Sequence, residues 1–185
     1  VVDESRLLGF ISEEIILESN DIEKSLGDFE LTGKDCVVSL ESHFYDILRI
    51  AGENKLQIVA VLNEDQQYAG VITVQDIMAS FAQTAAVKMQ GGILVLSMDL
   101  IDYSMAEISR LVEENKAKII SSTMVEDAMD QGKIKLTLKI NQVDLSRIVA
   151  TLERFNYRVI GRYQEMRKDV DDNGRIDMLL KYLNI

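Results

Sequence analysis

The chain has 185 residues, with 31 Asp and Glu against 20 Lys and Arg, one Cys, one His, and neither Trp nor Pro. That length suits one large domain or two small ones, and a composition of 47% hydrophobic and 28% charged residues argues against wholesale disorder. A net charge of −11 argues against nucleic acid and against an anionic membrane surface, both of which attract basic footprints.

Cys36 alone forms no internal disulfide, so no oxidising compartment is required. No apolar run approaches the roughly 20 residues of a membrane span, and no signal-peptide pattern is present. A cytoplasmic location is the expectation. The chain starts Val-Val-Asp-Glu rather than with Met, which suggests a fragment or a processed start. Average usage would supply about nine prolines. Without any, a junction has to be marked by Gly or by a change of pattern. The charge marks one: residues 1–91 carry a net of −10 and residues 92–185 a net of −1. Two units are expected, with the break near Gln90-Gly91-Gly92.

The first half holds a short repeat. Residues 8–17 align with residues 69–78 at an offset of 61, and each copy follows an apolar strand-like stretch and a polar turn. Each copy reads as strand, turn, strand, helix. Ahead of the second copy, residues 36–39 suggest a strand. Phe44, Ile47, Leu48 and Ala51 then give a helix over about 42–51, with Gly52 placed to end it.

The second half begins with a strand over 92–100. Ser104-Met105-Ala106-Glu107 has the spacing of a capping box, and Met105, Ile108, Leu111 and Val112 form a helical stripe. Residues 118–125 suggest a strand rich in β-branched residues. From 133 to 141 the pattern alternates, with Ile134, Leu136, Leu138 and Ile140 on one face and lysines and Thr137 on the other. Such a strand belongs to a sheet covered on one face. Leu145, Ile148, Val149, Leu152 and Phe155 predict a second helix, Asn156 its left-handed stop, and residues 158–163 a last strand. A β-α-β-β-α-β order is that of a ferredoxin-like split βαβ sandwich. A final helix is expected over 175–183.

Gly70-Val71-Ile72-Thr73-Val74-Gln75-Asp76-Ile77-Met78, preceded by residues 58–62, resembles a CBS motif. The resemblance makes 36–82 the second motif of a pair and 1–18 the end of a first motif whose opening strand and helix are missing. A connector over 19–35 joins them. After a linker over 83–91, residues 92–165 resemble an ACT-like domain, followed by a turn and helix over 166–185. This combination is similar to the bacterial acetoin-utilisation-type CBS proteins. Asp102-Tyr103-Ser104-Met105-Ala106-Glu107-Ile108 and the closing Lys181-Tyr182-Leu183-Asn184-Ile185 add to the likeness. Two departures stand out: Ala60 occupies a position where CBS motifs often carry Pro, and Ile15 stands where the second copy has Asp76.

Thr73 and Asp76 are the main site candidates. The resemblance implies an adenosine ligand whose ribose hydroxyls donate to Asp76, a charge-assisted contact that selects a ribose. Backbone around Val37 and Ala60 would contact the adenine. The competing reading is a helix cap, since Thr-x-x-Asp is also a capping arrangement. Arg49, Lys55 and His43 are the only cations near this region suited to phosphate, and the acidic surroundings disfavour a polyphosphate. The effectors considered are therefore AMP or ATP and the cationic S-adenosylmethionine, with ligands of few phosphates favoured. His43 itself reads as a surface residue.

In the second unit, Asp99 or Asp102 offers a partner for the ammonium of an amino acid, although the loop lacks the Gly that ACT domains usually place there. Residues 169–177 match much of a calcium loop but have Leu180 where the bidentate Glu belongs, and read better as a polar turn. No catalytic constellation is present: a triad or a His-based metal site needs more than His43.

The expected fold is α+β, a partial CBS-pair module followed by a ferredoxin-like domain. The expected function is regulatory and non-enzymatic: a small-molecule effector shifts the populations of a homodimer. The alternatives are a ligand-free oligomerisation scaffold and amino-acid sensing by the second unit.

Overall fold

The computed structural model describes residues 1–19 and 23–164. It divides into two units, residues 1–84 and 85–185. The final helix and the acidic turn expected after residue 165 lie outside the described residues.

The first unit opens with a two-stranded hairpin, β1 (Val2–Asp3) and β2 (Arg6–Leu7), and a short helix α1 (Glu13–Glu18). A hairpin and a helix are present, but the second strand lies at Arg6–Leu7, ahead of the repeat, and residues 8–11 contribute only the isolated bridge from Phe10 to Thr32. Ser12 caps α1 by accepting from the Ile15 N–H at 3.3 Å. The main sheet of this unit has the order β3 (Val37–Ser39), β4 (Ile58–Leu62), β5 (Tyr68–Thr73), with β3–β4 parallel and β4–β5 antiparallel. Parallel pairing needs a crossover; helix α2 (Phe44–Asn54) supplies it.

Helix α2 runs past the expected stop. Gly52 lies inside it, and the left-handed stop is Lys55 at φ 55°, after which the Leu56 N–H donates to the Ala51 carbonyl at 2.9 Å. Gly52 does not need to reverse the chain, because that closing bond forms beyond it. His43 is the N-cap, its Nδ1 accepting from the Tyr45 N–H at 3.2 Å. Val38, Ile47, Ala51, Val59 and Ile77 make one buried cluster. Leu7, Phe10, Cys36 and Ala60 make a second. The first repeat copy therefore shares a core with the second.

The second unit starts with a short helix α4 (Ala85–Lys88), within the stretch read from sequence as linker. A four-stranded antiparallel sheet follows, in the order β7 (Ile119–Glu126), β8 (Lys133–Ile140), β6 (Gly92–Asp99), β9 (Arg158–Gln164). Helices α5 (Met105–Glu114) and α6 (Ser146–Arg154) cover one face. Ile108, Leu111, Ile148 and Leu152 are fully buried against Leu94, Leu138 and their neighbours. The alternation in β8 places Ile134, Leu136, Leu138 and Ile140 inside as expected. The polar face is less open than the pattern implied: Lys139 is only 8% exposed. β8 is a central strand, so β6 and β7 flank its lysine stems on both sides. Asn156 takes φ 64° and stops α6 where expected.

The glycine pair at the start of β6 has a steric role. A Cβ on Gly91 would meet the Ile140 carbonyl oxygen at 1.9 Å, and one on Gly92 would meet the Leu145 side chain at 2.5 Å. A backbone oxygen in a paired strand cannot swing aside as a side-chain tip can. Gly91→Ala is accordingly expected to destabilise the second unit by about 1–3 kcal/mol, read from chemical denaturation, with Gln90→Ala as the neutral comparison.

Candidate functional site

The first unit converges on one end of its sheet. Strand β5 finishes at Thr73, opposite Ile58 at the start of β4, and the chain turns directly into α3 (Val74–Phe81). The Val74 N–H donates to the Gln57 carbonyl at 3.0 Å, tying the start of α3 to the entry of β4.

Thr73 is the N-cap of α3. Its Oγ1 accepts from the Asp76 N–H at 2.9 Å, while Asp76 Oδ2 accepts from the Thr73 N–H at 3.0 Å and from the Thr73 hydroxyl at 2.6 Å. This is a complete capping box, in which two orphan donors of the first helical turn are satisfied reciprocally. Both bonds fall on one oxygen. Among the described residues Oδ1 receives no hydrogen bond, and the carboxylate is exposed. The hydroxyl of Thr73, helped by its N–H, holds the Asp76 carboxyl below the usual aspartate range. The group is an anion at neutral pH with one acceptor oxygen still open to solvent. The first repeat copy lacks this arrangement: Ile15 stands at the corresponding position and is 43% exposed.

Val37 and Ala60 are direct partners across β3 and β4. Ala60 is fully buried, and its backbone lies between the ladders to β3 and β5. The structure thus brings Thr73 to Asp76 and Val37 to Ala60, while the backbone beside Thr73 is that of Gln57 and Ile58 rather than Ala60.

Two cavities flank that entry to β4. One of about 350 Å³ lies between α2 and the start of α3, lined by Leu48, Ala51, Lys55, Leu56, Gln57 and Val74 among others. A larger one of about 690 Å³ opens beside α1, with Phe10, Ile15, Leu17, Leu56 and Ile58 forming its apolar part and Glu13 and Glu14 its charged part. Lys55 borders both. Sequence reading missed these cavities, because they follow from where the 55–58 turn lies and not from a motif. Of the other cations considered, Arg49 is 3.4 Å from Glu53, and His43 is used as a cap.

In the second unit, a cavity of about 420 Å³ opens at the end of β6, bordered by Asp99, Asp102, Glu107, Lys133, Tyr157 and Arg158. The expected capping box at Ser104 is half made. Ser104 Oγ accepts from the Glu107 N–H at 3.3 Å, but the Glu107 carboxylate instead accepts from the Tyr157 hydroxyl at 2.8 Å. Burial, reinforced by this bond to a carboxylate, pushes the Tyr157 hydroxyl up to about 12. Acids and bases border this cavity together, and Glu107 ties α5 to the start of β9.

Among the described residues no cluster of three or more His, Cys, Asp or Glu could hold a metal ion. No described helix is long and apolar enough to cross a membrane.

Residues 29–83 match the family model of the CBS domain. The match spans somewhat under a third of the chain, and it takes in β3, β4, β5, Thr73 and Asp76. No curated protein matches the chain.

The lowered carboxyl of Asp76 has a pH consequence. A group whose folded pKa is depressed adds stability above its unfolded pKa and loses it as pH falls through the folded value. The bonds from Thr73 are thus expected to hold at neutral pH and to fail below the ordinary aspartate range. Thermal melts between about pH 7 and about pH 3 should show a loss of stability that is smaller in Asp76→Asn. Equal acid sensitivity in the two proteins would count against an ionised Asp76 as the cap.

Proposed function

We propose that the first unit is a regulatory sensor whose CBS domain binds an adenosine-type effector, with Asp76 Oδ1 accepting from the ribose hydroxyls. The observation that carries this reading is the state of Asp76. Its Oδ2 is fixed by Thr73, so the carboxylate is oriented before any ligand arrives, and its second oxygen is open to solvent at the strand–helix junction. Preorganisation of this kind reduces the ordering cost of binding. Ligand contacts on the adenine side would come from the neighbourhood of Val37, Ile58 and Ala60.

Charge narrows the effector. Residues 1–91 carry a net of −10, and Lys55 is the one cation bordering the cavities described in this unit. A triphosphate would meet repulsion. AMP and the cationic S-adenosylmethionine fit this field better than ATP does. In this reading residues 1–18 end a first CBS motif, 36–82 form the second, and binding shifts the populations of a cytoplasmic homodimer without catalysis.

The second unit reads as ACT-like, supported by its element order and by a sheet order, β7-β8-β6-β9, that a ferredoxin-like sandwich shares. A second reading, amino-acid sensing here, is favoured by the mixed charges around the 420 Å³ cavity. The ammonium would pair with Asp99 or Asp102 and the carboxylate with Lys133 or Arg158.

Isothermal titration with AMP, ATP and S-adenosylmethionine tests the first reading. Binding of AMP or S-adenosylmethionine in preference to ATP is expected, and Asp76→Ala should weaken it by about tenfold or more, the loss of one charge-assisted bond or a little over. No heat from any of the three would leave the oligomerisation scaffold as the better account. For the second reading, a panel of free amino acids is screened by thermal shift. A stabilisation removed by Asp99→Asn or Asp102→Asn, and kept in Asp76→Ala, is the expected result; a panel without a response removes that reading.

A further inference from the structure

Three described helical turns begin with Ser or Thr followed three residues later by an acid, the spacing of a capping box. Two of the boxes close. At α3 Thr73 and Asp76 exchange both bonds, and at the short 3-10 turn over Leu26–Asp28 the Ser25 N–H donates to Asp28 Oδ2 at 3.2 Å. The third, Ser104 with Glu107 at α5, closes only halfway. Ser104 Oγ takes the Glu107 N–H, but among the described residues nothing accepts from the Ser104 N–H.

Tyr157 makes the difference. It stands directly before β9, is 7% exposed, and donates its hydroxyl to Glu107 Oε2 at 2.8 Å. A nearly buried ring has little freedom to follow a departing partner, whereas Glu107 is an exposed side chain on a flexible stem. One mobile carboxylate therefore faces two donors, and in this structure it serves only the tyrosine.

We propose that Glu107 is a two-position switch. Bonded to Tyr157, it ties α5 to the start of β9. Swung back to the Ser104 N–H, it completes the cap of α5 and frees the Tyr157 hydroxyl for the cavity of about 420 Å³ that both side chains border. The exchange trades one charge-assisted hydrogen bond for another, so a modest preference of a ligand for one position shifts the populations.

What moves the switch rests on the amino-acid reading of this cavity. Lys133, one of its bases, is 2.5 Å from Asp130. A ligand carboxylate beside Arg158 would accept from the freed Tyr157 hydroxyl, and its arrival would send Glu107 to Ser104. Occupancy of the cavity would then loosen the tie between α5 and β9 and tighten the first turn of α5.

Amide exchange at Ser104, followed by NMR in the whole chain, reads the switch without any ligand. Tyr157→Phe removes the competing donor, so Ser104 exchange should slow by about tenfold, the effect of one charge-assisted bond. Adding Glu107→Ala to that variant should restore fast exchange. Should Tyr157→Phe fail to fold, Glu107→Asp gives a second route. Its carboxylate is one methylene shorter, the length with which Asp28 and Asp76 close their boxes, and it should slow Ser104 as well. Unchanged Ser104 exchange in the folded variants would overturn the proposal, as would a slowing that survives Glu107→Ala. Free amino acids then test the link to the cavity. One that stabilises the protein without slowing Ser104 exchange would break that link. A panel without any response removes the amino-acid reading alone, and the Tyr157→Phe result still decides the switch.

Discussion

Two hydrogen bonds from Thr73 to a single oxygen of Asp76 constrain what the first unit can do at its strand–helix junction. They stabilise the first turn of α3, and they also orient the carboxylate with its other oxygen outward. A capping residue and a ligand-binding residue are often treated as competing explanations. Here the cap uses one oxygen and leaves the other open, so in the proposed reading the cap is the device that would present the binding group. The first repeat copy shows the contrast: Ser12 makes a cap by accepting one N–H, but Ile15 offers no carboxylate. Both copies therefore cap the helix start, and only the second places a carboxylate there.

Around that junction the electrostatics are one-sided. The acidic excess is concentrated before residue 92, with Arg49 beside Glu53 and Lys55 the cation that borders both cavities. A site in such a field favours ligands that carry little negative charge, whatever their shape. The second unit solves a different problem. Its acids and bases balance, and they meet around the cavity at the end of β6, where Glu107 is drawn away from its helix cap by Tyr157. That diversion joins α5 to β9 through one hydrogen bond, so a ligand competing for Glu107 would also loosen the link between those elements.

Much of the architecture was legible in the sequence because periodicity reports burial. The alternation in β8 and the stripes of α5 and α6 identify the buried set of the second unit, and Asn156 marks its turn. The strand at 58–62 was equally plain. Local stops and caps were less so. Gly52 and Lys55 are three residues apart, and only the path of the chain after Ala51 decides which one takes the left-handed conformation. The half-made cap at Ser104 depends on Tyr157, fifty residues beyond Glu107 in the chain, a distance over which local spacing carries no information. The same limit applies to the site. Thr73 and Asp76 form a local pair, and their spacing announced it. The cavities beside Lys55 and at the end of β6 are assembled from separated segments, and nothing in the spacing of their residues could reveal them.

The central claim is that Asp76 selects a ribose through its unengaged oxygen. A carboxylate-detected NMR titration of aspartate-labelled protein tests this most directly, comparing adenosine with 2′-deoxyadenosine. The account predicts that adenosine shifts the Asp76 carboxyl resonance in a saturable way and that 2′-deoxyadenosine, with one hydroxyl fewer to donate, shifts it far less. Equal responses to the two nucleosides, or no response to either, would contradict it.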